Sequence, residues 1–392
     1  MIKQVGLAID RQSWTTTSPE FTHSIPPSFP NATATQVDFL TSLLQVGALT
    51  VPRRGAACSL AAYWAYIRYI AAIDYQSPTL RLIPDWSELD SHQKTILSDD
   101  WGVGFTTSWL ASRLSYTSFC DGRYFIERLK GLGLVTVNRG PEKHGPYKSP
   151  DFIFLDTSGL FHIVECKGTQ QSVSGLRSAM SDGVAQKRGI AFSDEQTCVA
   201  QRIVGGLFIA DSDCKGQSVL AFADPAPREG LIVSVQNSSH PDIIRDQVHR
   251  GDLAIQLQLV GAQFLADELQ RLPAQTEDAQ QERRNHIAGA VRQFIVSRGP
   301  QISDGWLSRT IEIPFPEVLS IGAARFGSVK ISHKIRASFI SHMAQYDPSK
   351  ITLEDQFPTA SVEQVAWRSL ESDNSAAIYR GSEFASEILL IE

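Results

Sequence analysis

The sequence predicts an α/β protein: a mixed sheet flanked by helices, set between a mainly helical N-terminal region and a C-terminal α+β region. Three observations predict it. Asp151 to Leu155 and Phe161 to Lys167 are apolar runs of strand length, separated by the turn sequence Asp156-Thr157-Ser158-Gly159. The segments around them read helix, three strands, helix, two strands. The Phe161 run is apolar on both faces, as a central strand covered on both sides should be.

The elements follow in chain order. Thr15 to Thr35 is rich in Ser, Thr and Pro and reads as an extended surface segment. Asp38 to Val46, Cys58 to Tyr75, Ser87 to Leu97 and Thr107 to Leu114 have helical spacing, with Ser87 as an expected N-cap, and Asp99 to Phe105 reads as a connecting loop, a functional turn being the alternative. Phe119 to Gly131 suits a helix closed by Gly131 or Gly133, and Leu134 to Val137 a short strand. Arg139 to Ser149 is a loop rich in Gly, Pro and Lys. A helix over Val173 to Arg188 and strands at Ile203 to Ala210 and Ser218 to Phe222 complete the centre. Beyond it, His240 to Leu272 is mostly helical, and Pro273 to Arg284 reads as a linker or a solvated helix. Strands at Ile311 to Ile313 and Ile388 to Leu390, and a helix near Val362 to Leu370, make up the rest. Three units are therefore expected, 1–115, 116–235 and 236–392, since a chain of 392 residues exceeds the roughly 100 to 200 of one domain.

Composition narrows the function classes. A 42% apolar and 20% charged chain with 27 Gly and 19 Pro is ordinary globular protein, which excludes disordered and collagen-like material. Five well-separated cysteines form no C-x-x-C pair, so neither a zinc knuckle nor a disulfide scaffold is expected, and a reducing cytoplasm fits. The most apolar stretch, Ser59 to Ile73, contains Arg68 and falls short of the ~20 residues that span a bilayer, and no secretory leader is read at Met1. The net charge of −6 does not suit a general nucleic-acid coat. Arg113 to Ile190, however, holds eleven Lys and Arg against seven Asp and Glu, a surplus of four that leaves −10 for the remainder. Val318 to Tyr346 carries Arg325, Lys330, Lys334 and Arg336 without an acid, as either a nucleic-acid surface or a solvated face. No Walker A loop is present.

The chemistry concentrates at Pro150-Asp151 and Glu165-Cys166-Lys167. Alternation along a strand puts Glu165 and Lys167 on one face and Cys166 on the other, while Asp151 opens the neighbouring run. Pairing of the two runs would gather two carboxylates and an ammonium at a sheet edge where water is scarce, which is costly without compensation. A divalent cation compensates it, because Mg²⁺ takes hard oxygen ligands and keeps waters beside one or two carboxylates. The ammonium of Lys167 could then orient a water, stabilise developing negative charge or, at a lowered pKa, help deprotonate the water. Metal, nucleophilic water and phosphate clamp together describe phosphodiester hydrolysis. Pro-Asp occurs three times, at Pro84, Pro150 and Pro241, but E-x-K only once, a hairpin's distance after the second.

In these residues the chain resembles the PD-(D/E)xK nuclease superfamily, the restriction-endonuclease-like fold, over about Phe119 to Phe222. The resemblance implies that Asp151 and Glu165 bind Mg²⁺, with Mn²⁺ as substitute, that the main-chain carbonyl of Cys166 is a further ligand, and that Lys167 assists catalysis. It also implies an acid from a preceding helix, for which Glu127 is the candidate, although Arg123 four residues earlier offers an exposed ion pair instead. Arg139, Lys143, His144 and Lys148 are candidates for holding phosphates, and Gln186 and Lys187 for facing the site from the following helix. Gln170 and Gln171 could reach substrate. His144 and His162 read as loop and strand residues rather than ligands. At the level of activity the resemblance implies a metal-dependent DNA endonuclease, in a bacterial restriction or anti-phage setting, working as a homodimer or with a partner protein, because one such site cuts one strand. A catalytically silent module binding nucleic acid or a partner, and an RNase or structure-specific nuclease, remain open alternatives.

Overall fold

The computed structural model describes residues 1–14, 23–50, 63, 66, 68–137, 149–187, 190–214, 216–224, 233–236, 240–298, 302–353 and 367–392. Their centre is a seven-stranded mixed sheet of β1 (Ile2–Ile9), β2 (Ala34–Asp38), β3 (Tyr116–Asp121), β5 (Phe152–Asp156), β6 (Phe161–Thr169), β8 (Val199–Phe208) and β9 (Val219–Ala223), in the order β2-β1-β9-β8-β6-β5-β3. β3, β5 and β6 are successively antiparallel. β6 and β8 are parallel, joined by α4 (Val173–Lys187), and β9 returns antiparallel to β8.

Several expected elements fall differently, each for a tertiary reason. The pieces at Ser87 and Thr107 are one helix, α2 (Ser91–Leu114), capped by Asp90, whose carboxylate accepts from His92 N and Gln93 N; Ser87 lies in the 3-10 turn Pro84–Glu88. Gly102 and Gly104 suggest a loop because Gly is a poor helix former. Here they are the points of closest packing: a Cβ on Gly104 would meet Val46 and the Ser42 carbonyl of α1 (Phe39–Leu49). The helix expected from Phe119 begins three residues later, because Tyr116 to Asp121 is strand, buried on both faces through Cys120, and becomes β3. Asp121 then caps α3 (Gly122–Gly131), accepting from Tyr124 N at 2.9 Å. β4 (Val135–Val137) leaves the main sheet and pairs with β10 (Val233–Val235), which also pairs with β7 (Ile190–Phe192). The third strand of the central group is therefore β3, not β4. α5 (Glu195–Cys198) is a short turn before β8.

The first 115 residues do not stand apart as a helical unit. β1 pairs in parallel with β9 and antiparallel with β2, so both extend the central sheet. Of the helix expected over Cys58 to Tyr75, positions 63, 66 and 68–70 are helical and most of the remainder lies outside the described residues.

The C-terminal portion contains α6 (Pro241–Leu259), α7 (Gln263–Gln270), α8 (Glu277–Arg298) and α9 (Ala337–Met343). It also contains a six-stranded antiparallel sheet in the order β11 (Ile302–Ser303), β12 (Trp306–Ile321), β13 (Ala324–Arg336), β16 (Phe384–Ile391), β15 (Ser375–Arg380), β14 (Arg368–Glu371). Arg368 to Leu370, expected as the end of a helix, are strand, and 362–366 lie outside the described residues. One apolar core joins these parts, running from Val5 through Trp101 and Val164 to Ile331 and Ile388. Each large side chain buried in it contributes roughly 1.5–3 kcal/mol. A buried ion pair, Arg380 to Asp252 at 3.0 Å, further ties β15 to α6, and Arg380 also donates to Gln45 of α1 at 3.0 Å.

The tightest constraint lies between α2 and β6. A Cβ on Gly102 would come within 2.5 Å of the Lys167 carbonyl, and one on Gly168 would collide with the Ser98 carbonyl. Helix and strand touch main chain to main chain, so neither partner can yield by turning a rotamer. Gly168→Ala and Gly102→Ala should therefore each lower unfolding stability by about 1–3 kcal/mol or more. Gly327→Ala, with nothing within 4 Å of its Cβ position, should stay near wild type. Urea titrations of the three variants check this, and an unchanged midpoint for Gly168→Ala would refute the contact.

Candidate active site

β5 and β6 pair only as far as Phe152 opposite Val164, whereas β6 stays paired with β8 through Thr169. From Glu165 onward β6 has therefore lost its β5 neighbour, and a notch opens beside it. Asp151 stands at its mouth, one residue before β5, and takes over the missing ladder: its Oδ2 accepts from Cys166 N at 2.8 Å. Asp151 N in turn donates to Glu165 Oε2 at 3.2 Å. A strand residue sends its N–H and C=O to the same side, so the Cys166 carbonyl also points toward the notch.

Glu165 and Lys167 share the face covered by α4, where Gly183 passes over them: a Cβ there would lie 3.1 Å from Glu165 Cγ and 3.0 Å from Lys167 Cε. Lys167 Nζ donates to Glu165 Oε1. The Glu165 side chain is 0% exposed and that of Lys167 21%, so the pair opens to solvent only through the ammonium. The charges of Asp151 and Glu165 oppose one another across the notch. The three expected side chains thus converge.

The electrostatics follow from the crowding. Burial, then the charge of Asp151, pushes the Glu165 carboxyl up to about 8 despite Lys167, so at neutral pH it holds a proton. Burial also raises Asp151, assisted by Asp99, against the Cys166 N–H and Lys167. For Lys167 burial works the other way, but Glu165 and Asp151 overcome it and the ammonium is held above its ordinary value. Of the three roles open to Lys167, orienting water and stabilising negative charge suit this ammonium; acting as a base does not.

Asp99, in the segment read above as a connecting loop with a functional turn as the alternative, also lies near these side chains. It sits on α2 one residue after Ser98, where that helix touches β6. Burial raises its carboxyl and Lys167 lowers it, and its own charge reaches Asp151. No local signal ties it to Asp151, which is far from it in the chain. Asp100 faces elsewhere and accepts from Tyr69 Oη.

Glu127 is a correction. It lies on α3, 59% exposed, paired with Arg123 Nε at 2.9 Å, and so takes the i, i+4 ion pair instead of the notch. Gln170 turns inward, donating to the Lys94 carbonyl at 2.9 Å and to Ser98 Oγ at 3.1 Å, which fixes the loop after β6 to α2. His162 pairs with Asp156 at 2.9 Å, away from the carboxylates. Arg139, Lys143, His144 and Lys148 lie outside the described residues, as do the side chains of Gln186 and Lys187 at the end of α4. The basic C-terminal stretch is partly engaged: Lys334 pairs with Glu387, and Arg336 stacks 4.0 Å over Trp306.

Among the described residues no three Asp, Glu, His or Cys side chains form a ready metal cage. Mg²⁺ does not need one, since it keeps several waters beside one or two carboxylates. The donor set here is all hard oxygen, from Asp151, Glu165 and the Cys166 carbonyl, and the Glu165 carboxyl, raised by burial and by the charge of Asp151, marks where a cation would relieve repulsion. The residues fit the ion. No protein-family model, no curated protein and no solved structure matches the chain.

This electrostatic arrangement has a measurable sign. Glu165 is raised in the fold from about 4.5 to about 8, so its contribution is intact below pH 4.5 and is lost as pH rises through 8. Melting temperature in EDTA should fall across that window, and millimolar Mg²⁺ should restore more of it at pH 8.5 than at pH 5.5. A metal effect equal at both pH values, or one retained by Glu165→Gln, would refute the assignment.

Proposed function

We propose that the protein is a divalent-metal-dependent nuclease of the restriction-endonuclease-like type that hydrolyses phosphodiester bonds in DNA. The observation that carries this is the convergence of the Asp151 and Glu165 carboxyls and the Lys167 ammonium at the point where β5 and β6 part. Support also comes from the main-sheet strands around it, β3, β5 and β6 followed by α4, β8 and β9, with α3 and β4 inserted between β3 and β5, and β7 and α5 before β8.

Asp151, Glu165 and the Cys166 carbonyl would hold the ion, with Asp99 at the rim. Bound there, Mg²⁺ supplies Lewis-acid polarisation of a phosphoryl oxygen and lowers the pKa of a water. Lys167 binds that water or a non-bridging phosphate oxygen through its ammonium and stabilises the negative charge that develops. Asp151 keeps β6 in register by bonding Cys166 N, which aims the neighbouring carbonyl. α4, close over Glu165 at Gly183, excludes water from the inner side and makes each charge more effective. A place in bacterial restriction or anti-phage defence extends the same resemblance.

The test is cleavage of supercoiled plasmid, linear duplex, single-stranded DNA and RNA with Mg²⁺, Mn²⁺ or EDTA. Asp151→Ala, Glu165→Ala and Lys167→Ala should each cost at least about 10²-fold in rate. Asp99→Ala should cost about 10-fold, through lost field and positioning, and Glu127→Ala should stay within about 2-fold. Cleavage that survives Lys167→Ala and Asp151→Ala would overturn the site. Metal-independent nucleic-acid binding without cleavage of any substrate would favour the silent module.

A further inference from the structure

Two sheet edges border one cavity, the β2 end of the seven-stranded sheet and the β14 end of the six-stranded one. The C-terminal half of α2 and the first turns of α1 complete the lining, and no residue of the notch belongs to it. Its volume of about 300 Å³ is at the small end for sites that take an organic ligand.

The inner walls are carbon. Val37, Trp109, Trp367 and Ile378 are buried there. Both indole N–H groups are already used, Trp109 Nε1 on Thr35 Oγ1 at 3.3 Å and Trp367 Nε1 on the Thr117 carbonyl at 2.9 Å. The two rings therefore offer apolar surface to an occupant, which suits a flat apolar body.

The polar groups are mostly donors. Gln45 of α1 lines the cavity and is 2% exposed. Arg380 donates to its Oε1 at 3.0 Å, and because a guanidinium can only donate, the amide oxygen must face Arg380 and the amide nitrogen is the end left over. That nitrogen donates to no acceptor among the described residues, which is costly for a buried donor. Asp38 is already engaged: its Oδ1 accepts from Thr41 N at 2.6 Å and its Oδ2 from the Met1 amino group. At the mouth Arg113 and Arg368 are exposed and form no ion pair among the described residues, with the Arg113 guanidinium 5.5 Å from the Trp109 ring centroid. Glu371, which accepts from Thr41 Oγ1 at 3.4 Å, is the one acid beside them. Two guanidiniums against that one carboxylate leave a surplus of a single positive charge.

We propose that this cavity binds a small aromatic carboxylate: the ring against Trp109 and Trp367, the carboxylate on Arg113 and Arg368, and an acceptor at the far end of the ring taking the Gln45 amide hydrogen. The surplus of one charge matches a carboxylate better than a phosphate monoester. A neutral ligand would leave the guanidiniums unmatched, although their planar forks suit a carboxylate. A purely apolar one would leave Gln45 without its bond. The site does not rest on the nuclease reading, since it shares no residue with the notch.

Isothermal titration calorimetry of the full chain with 4-hydroxyphenylacetate tests it, with 4-hydroxyphenylacetamide, phenylacetate and adenosine monophosphate as comparisons. The hydroxy acid should bind with a dissociation constant below about 1 mM. The neutral amide should bind at least about tenfold more weakly, and phenylacetate, which lacks the inner acceptor, about threefold or more. Arg113→Gln and Arg368→Gln should each weaken binding about fivefold or more, whereas Lys330→Gln, outside the cavity, should stay within about twofold. These three positions are exposed, so circular dichroism melts should be unchanged and a loss of binding is not a loss of fold. No heat from the hydroxy acid up to about 10 mM, equal binding of acid and amide, tighter binding of adenosine monophosphate, or arginine variants that bind as wild type would each overturn the proposal.

Discussion

The candidate site depends on a contact without side chains in it. At Gly102 and Gly168 the backbone of α2 lies directly on that of β6, immediately after Lys167. Packed interiors transmit such a constraint because they have little slack. β6 is held by α2 on one face, by α4 on the other and by β8 along one edge, while its second edge is released by β5 at Val164. The notch is therefore a rigid defect in an otherwise complete sheet, and its walls do not have to be ordered when a substrate arrives.

Into that defect the fold places more negative charge than it neutralises. Asp151, Glu165 and the nearby Asp99 face one ammonium, and the chain on its own responds by holding a proton on Glu165 and strengthening Lys167. A buried arrangement of this kind costs stability, which an apolar filling would not. Strain of that sort is typical of functional sites, where perturbed titration accompanies a specific charge partner in a cleft. The buried pairs elsewhere in the chain behave differently. Arg380 with Asp252, and Arg202 with Glu195, are matched one to one and stitch elements together.

The regions around the central sheet are not independent appendages. β1 and β2 widen the sheet from one side, and the core that fills the face under α2 continues into β13, β15 and β16.

The sequence by itself determined the convergence of three side chains at the candidate site. Asp151, Glu165 and Lys167 were legible because two adjacent strands joined by a tight turn form a local unit, and a period of two decides which side chains share a face. It also determined α1, α6 and most strands of the central sheet, whose apolar patterns are continuous. Tertiary structure decided the rest, wherever residues distant in the chain had to meet. Gly102 and Gly104 read as loop until β6 and α1 pack against them. β1 is defined by β9, more than 200 residues away. Asp99 reaches Lys167 only because a helix crosses a strand, whereas Glu127 lies exposed on α3, paired with Arg123. Local periodicity carries the first class of information, and only the packed chain carries the second.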